Sequence, residues 1–245
     1  MSQSTSSFAS KIESGGFAII PAAQDPKEAP QWTDRLDKVL KQSDAAIRNR
    51  KGTVYAARNI ITEVPQACSL WQTERIKSHL CEILGDDFVL VRALYFDKHP
   101  QRTWSLPWHK DMTIAVNDNT LPSDVFCKPT NKLGVPHVEA STEILQNMLT
   151  LRFHLDQVTD ENGPLEVIPG SHLGGKSADH CDAQPVKILA GLGDVLAMRP
   201  LLSHASGSSA EGTFRHRRIL HFEFSGDREL PDGYQWYFQP GYSQR

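Results

Sequence analysis

Trp108-His109-Lys110-Asp111 sets an imidazole and a carboxylate two residues apart. On an extended segment, side-chain alternation turns both to one side and Lys110 to the other. Two ligands of a small metal site are then fixed locally, and a third has to come from a distant segment. Leu202-Ser203-His204-Ala205-Ser206 offers one, with small neighbours that leave room around the imidazole. Two neutral imidazoles and one carboxylate leave the opposite coordination positions open, which is the ligand set of non-heme Fe(II) oxygenases. His-x-Asp alone is a weak signal, so the remainder of the chain has to strengthen it.

Basic residues on strand-like segments form the second chemical signal. Residues 217–224 split into Arg217, Ile219, His221 and Glu223 against Arg218, Leu220, Phe222 and Phe224. The second set is mostly apolar and belongs to a core, so Arg217 faces the more polar side. A guanidinium held on a strand beside a metal suits a bidentate grip on a carboxylate. Arg215 shares this parity but lies nearer the preceding loop, so both stay open for that role. Leu149, Leu151, Phe153 and Leu155 alternate with Thr150, Arg152, His154 and Asp156. The simplest expectation puts the polar side in water, whereas in a two-sheet roll it lines an internal pocket. Arg92 lies inside a more apolar run, and a buried arginine needs an anionic partner. Arg92 and Arg152 are therefore secondary candidates for holding a carboxylate or phosphate. His172, after Pro169-Gly170-Ser171, is expected to be a loop histidine.

These side chains need strands to carry them. Short strands are expected over 88–96, 108–116, 147–156, 165–168, 194–199 and 217–225, punctuated by Pro, Gly, Asn and Asp. Asn162-Gly163 predicts a tight hairpin, and 117–141 reads as a long loop, either a lid or a surface excursion. Earlier, Gly16 opens a strand that Pro21 closes, and Thr53–Ala57 is a further strand. Helices are expected from about Glu28 to Asn49 and from about Pro65 to Leu84, with Gly85 as a stop. Strands without alternating helices predict a mainly β fold with a helical buttress, a sandwich or barrel. One domain over 1–245 is expected, helix-rich to about residue 87 and β from about 88 to 225.

At 245 residues, 39% hydrophobic and 22% charged, the chain has an ordinary globular composition. A formal charge of -3 gives no reason to expect nucleic acid as a partner. Cys68, Cys81, Cys127 and Cys181 are too sparse and irregular for a disulfide framework, so reduced thiols and a cytoplasmic location are expected. The serine-rich start lacks a secretory pattern, and no run reaches membrane-spanning length. The oligomeric state is not encoded in any pattern of the chain.

Read together, Trp108-His109-x-Asp111, Glu161-Asn162-Gly163-Pro164-Leu165, Pro169-Gly170-Ser171-His172, the Gly193-Asp194 turn before His204-x-Ser206, and Arg217-Arg218-Ile219-Leu220 occur in one order. This series, from about Phe88 to Phe224, resembles the phytanoyl-CoA dioxygenase (PhyH-like) family of Fe(II)- and 2-oxoglutarate-dependent oxygenases. The resemblance implies a double-stranded β-helix, or jelly roll, of cupin-like form. It implies His109, Asp111 and His204 as iron ligands, and Arg217 with Ser206 as the site for the far carboxylate of 2-oxoglutarate. It further implies hydroxylation of a small molecule with O2 as oxidant and with succinate and CO2 released, since halogenating relatives lack the carboxylate that Asp111 provides. The competing expectation is a cupin-like metal- or small-molecule-binding protein without oxygenase activity. A zinc hydrolase on the same triad has no evident general base and leaves Arg217 without a role.

Overall fold

A computed structural model of the chain describes residues 7–48, 53–100, 103–177 and 184–238. In chain order it runs α1 (Phe8–Gly15), β1 (Phe17–Ile20), α2 (Ala29–Leu40), β2 (Ala46–Arg48), β3 (Val54–Ala57), α3 (Ile60–Glu63) and α4 (Glu74–Leu84). There follow β4 (Val89–Lys98), β5 (Leu106–His109), β6 (Thr113–Ala115), β7 (Cys127–Lys132), β8 (Val135–Glu139), α5 (Thr142–Gln146) and β9 (Met148–His154). The chain closes with β10 (Leu165–Val167), β11 (Val186–Ile188), β12 (Val195–Met198), β13 (His204–Ser206) and β14 (Arg217–Ser225).

Antiparallel pairing gathers these strands into three sheets. The largest has the order β1-β12-β9-β14-β4-β3-β2, a second has β11-β10-β13-β5, and a third has β6-β8-β7. Leu196, Met198, Phe17 and Ile19 of the large sheet pack against Leu165, Val167 and Ile188 of the second. Two facing sheets closed in this way form a jelly roll. The outer face of the large sheet is covered by helices: Leu149, Leu151, Phe153, Leu220, Phe222 and Phe224 share one core with Ile12, Leu36 and Leu80. Both faces of the central strands are therefore buried, and the polar alternation of β9 and β14 points into the roll. The water-facing expectation for Thr150, Arg152 and His154 is corrected: they are buried.

Several boundaries differ from expectation for local reasons. The helix expected to reach Asn49 ends at Leu40, and Ile47 sits on β2. A Ser43 hydroxyl that accepts from Ala45 N turns the chain there. The second expected helix is split into a 3-10 turn over Pro65–Leu70 and α4, because the Thr73 side chain caps a new start by accepting from Ile76 N. Gly85 does stop it, with φ 84. Asn162-Gly163 does not close a hairpin: only Gly163 has positive φ, and the Asn162 side-chain amide bridges Gln157 O and His216 O as the chain crosses between sheets. The 117–141 stretch is not a plain loop but carries the β7–β8 hairpin. No helix among the described residues is long and apolar enough to cross a membrane. Cys68, Cys81 and Cys127 are free thiols, while Cys181 lies outside the described residues.

Candidate metal centre

The β5–β13 pairing sets His204 directly opposite His109, with ring centroids 4.2 Å apart. Asp111 follows just past the end of β5, fixed by donation of its backbone N–H to Pro200 O at 2.9 Å. Its carboxylate lies 3.9 Å from His109 Nε2 and 3.6 Å from His204 Nε2. One donor atom from each of the three lies within 4.8 Å of the others. Each histidine has Nδ1 at 2.8 Å from the carbonyl two residues before it, Pro107 O and Leu202 O. Donation through Nδ1–H fixes both rings in the tautomer whose Nε2 lone pair faces Asp111. Burial, only partly offset by the Asp111 charge, holds His204 down to about 4, so it is a neutral ligand at neutral pH. Asp111 works against burial and stays below the ordinary carboxylate range because His204 and His221 flank it. Lys110 is turned away, as alternation requires, yet it is buried and donates to Ser171 O and Gly175 O.

Two imidazoles and a carboxylate, pre-oriented and partly open to solvent, fit a divalent transition ion such as iron. The polar face behind them fits an anion. Arg217 and Arg152 are 5% and 8% exposed, and the Arg217 Nε has no hydrogen-bond partner. Neither guanidinium forms an ion pair among the described residues. Burial lowers Arg217 to about 9 with the help of the neighbouring Arg152, and lowers Arg152 to about 10 against the pull of Asp111. Lys98, opposite Arg217 in the β4–β14 register, is fully buried and donates to Gly207 O, Ser206 Oγ and Gly163 O. Burial, with both arginines adding to it, takes Lys98 down to about 7.

Arg215 takes another course: it is exposed and its Nε lies 3.3 Å from Glu161. Arg92 already has a carboxylate within the protein, a bidentate pair with Glu223, and its Nη1 meets His137 Nε2 at 3.2 Å. Burial would raise Glu223, but Arg92 and His221 hold it at about 2. His172, expected in a loop, lies buried on a 3-10 turn over Ser171–Gly174, its Nε2–H directed to Glu13 O. Lys98 went unnoticed in the sequence, although it has the strand parity of Arg92 and so shares its face.

The family model described as phytanoyl-CoA dioxygenase (PhyH) matches residues 12–216. No curated protein matches the chain. Among solved structures, AviO1 from Streptomyces viridochromogenes Tue57 is similar with a TM-score of 0.66 and 20% identity, over 91% of this chain and 95% of that one. EctD from S. alaskensis, solved with 2-oxoglutarate and 5-hydroxyectoine, gives 0.65 and 16% over 89% and 74%. The epimerase SnoN, in complex with Fe3+, alpha ketoglutarate and nogalamycin RO, gives 0.65 and 16% over 92% and 86%. At these identities the likeness establishes the fold. The family match ends one residue before Arg217, so the case for that residue is geometric.

Proposed function

The chain belongs to the phytanoyl-CoA dioxygenase family, and from that premise we propose that it is an Fe(II)- and 2-oxoglutarate-dependent oxygenase that hydroxylates a small molecule. His109, Asp111 and His204 hold the iron in this reading. The observation that carries it is one roll bearing an open donor triad on its smaller sheet and, on the large sheet, two buried guanidiniums without a carboxylate partner among the described residues. 2-Oxoglutarate has two carboxylates, and two arginines await them. Arg152, whose charge Asp111 favours, would neutralise one of them. Arg217 takes the far carboxylate, assisted by Ser206, whose hydroxyl accepts from Lys98. When bound, iron(II) with 2-oxoglutarate and O2 supplies the oxidising power, with succinate and CO2 as products. The protein's part is to present neutral imidazoles, keep Asp111 ionised, orient the dianion and exclude water. The helix-rich part to about residue 87 and the β part act as one unit, since β1, β2 and β3 are strands of the large sheet.

The test is succinate formation from 2-oxoglutarate with Fe(II) in air. The wild type is expected to show slow turnover without a second substrate, and Asp111→Ala none. Metal and cosubstrate binding without any succinate in the wild type would favour the cupin-like binding protein.

A further inference from the structure

Lys98 ends strand β4 with its amine inside the roll. Its Nζ lies 2.6 Å from Gly207 O, 3.3 Å from Gly163 O and 3.2 Å from Ser206 Oγ, and 4.7 Å from the centroid of the Trp104 ring. An ammonium has three N–H bonds, and these three oxygens take them all, so Lys98 has none left to grip a ligand directly. The three acceptors are not alike. A carbonyl oxygen only accepts, so Gly207 O and Gly163 O claim two N–H bonds in either protonation state of the amine. A hydroxyl does both, and the contact with Ser206 therefore has two forms. With Lys98 as an ammonium, the third N–H donates to Ser206 Oγ and the Ser206 proton is left to point elsewhere. With Lys98 as a neutral amine, its lone pair accepts that proton, and Ser206 offers any other ligand only oxygen lone pairs. The first form donates to a carboxylate, and the second repels one.

The surroundings give the amine access to both forms. Arg217 on β14 and Arg152 on β9 are the charged groups that face it. Ser206 on β13 and the turns at Gly163 and Gly207 bring no charge. Asp97, the preceding residue, alternates to the other face of β4 and meets His216 Nδ1 at 3.0 Å. Among the described residues Lys98 forms no ion pair. Burial and the two like charges therefore bring its titration close to neutral pH, whereas the three acceptors hold Nζ in place. Arg217 is also the cross-strand partner of Lys98, so the hydroxyl that Lys98 controls and the guanidinium proposed to take the far carboxylate share one inner patch.

We propose that Lys98 is a positioning residue for the far carboxylate of 2-oxoglutarate, acting through Ser206: its ammonium form frees the Ser206 hydroxyl to donate to that carboxylate beside Arg217, and its amine form withdraws it. The proposal rests on the oxygenase reading above. Binding to the amine form then draws a proton from solvent onto Lys98. Anaerobic calorimetry of the Fe(II)-loaded protein tests it between about pH 6 and about pH 9, on either side of the Lys98 transition. The ligands are 2-oxoglutarate and 2-oxopentanoate, which keeps the chelating end and the chain length but lacks the far carboxylate. Affinity for 2-oxoglutarate should fall by roughly tenfold as pH rises across this range. At the basic end its binding should take up as much as about one proton, read from buffers of different ionisation enthalpy. 2-Oxopentanoate should show neither effect. Ser206→Ala should weaken 2-oxoglutarate by roughly tenfold at the acid end and little at the basic end, where the hydroxyl is already committed to Lys98. Lys98→Met should remove the pH dependence, and Ser206→Ala carries the test should that variant fold poorly. A 2-oxoglutarate affinity independent of pH, a dependence shared by 2-oxopentanoate, or a Ser206→Ala loss of equal size at both ends overturns the proposal. No binding of 2-oxoglutarate at any pH would instead refute the oxygenase reading.

Discussion

At the scale of single residues, the site consists of donors whose state is set before any ligand arrives. His109 and His204 were legible because their partner Asp111 is two residues away from one of them. Their tautomer was not legible, since it depends on the local carbonyls Pro107 O and Leu202 O. Arg217 was legible from strand parity, and the ambiguity with Arg215 is answered by burial: one guanidinium is inside the roll and the other is at the surface with Glu161. A buried cation without a partner is a cost in the free protein, and this yields a signed prediction. Arg217→Met should raise the stability of the ligand-free protein by about 1–3 kcal/mol in urea melts. The same substitution should cost about 2–5 kcal/mol of 2-oxoglutarate affinity, removing the ligand-dependent rise in Tm. Lower stability together with undiminished cosubstrate affinity would return the role to Arg215.

At the scale of elements, strands with a buried apolar face were read well, and β14 has the bounds the alternation predicted. The β7–β8 hairpin was not, because β7 is exposed along nearly its whole length and carries no apolar period. It is held by pairing with β8, a long-range fact that no local pattern records. Asn162-Gly163 misled for the opposite reason: its turn chemistry is real, but it serves a crossing between sheets. Gly163 has φ 64, and a Cβ there would sit 2.5 Å from Gly207 O and 2.9 Å from Lys98 Nζ. Gly163→Ala should therefore destabilise by about 1–3 kcal/mol and raise the KM for 2-oxoglutarate by displacing Lys98 from Ser206. Gly207→Ala is the control, since nothing lies within 4 Å of its added Cβ. Equal behaviour of the two variants in thermal melts would refute this account of the turn.

At the scale of the whole molecule, a jelly roll with helices on one sheet was predictable from strand spacing and punctuation. What its interior would contain was less so, because polar alternation reads alike whether a face meets water or a cavity. The interior buries titratable groups, and stability should follow pH accordingly. Burial lowers His137 and His154 to about 4, against their hydrogen bonds to Val135 O and Asp194 O. The unfolded chain, with histidines near ~6.5, then binds more protons, so stability present above that value is lost as pH falls toward 4. Glu223 at about 2 adds a second stage, its contribution present above the unfolded carboxyl value of ~4.3 and lost toward pH 2. Urea midpoints across this range should fall in two stages, and His154→Gln should flatten the first. A flat profile from pH ~6.5 down to about 4 would contradict the buried neutral imidazoles. The central claim, that His109, Asp111 and His204 hold an iron that 2-oxoglutarate chelates, is tested most directly by anaerobic absorption spectroscopy. Addition of Fe(II) and 2-oxoglutarate should give a visible metal-to-ligand charge-transfer band in the wild type and none in Asp111→Ala. No band in a folded wild-type protein, or an undiminished band in Asp111→Ala, would contradict it.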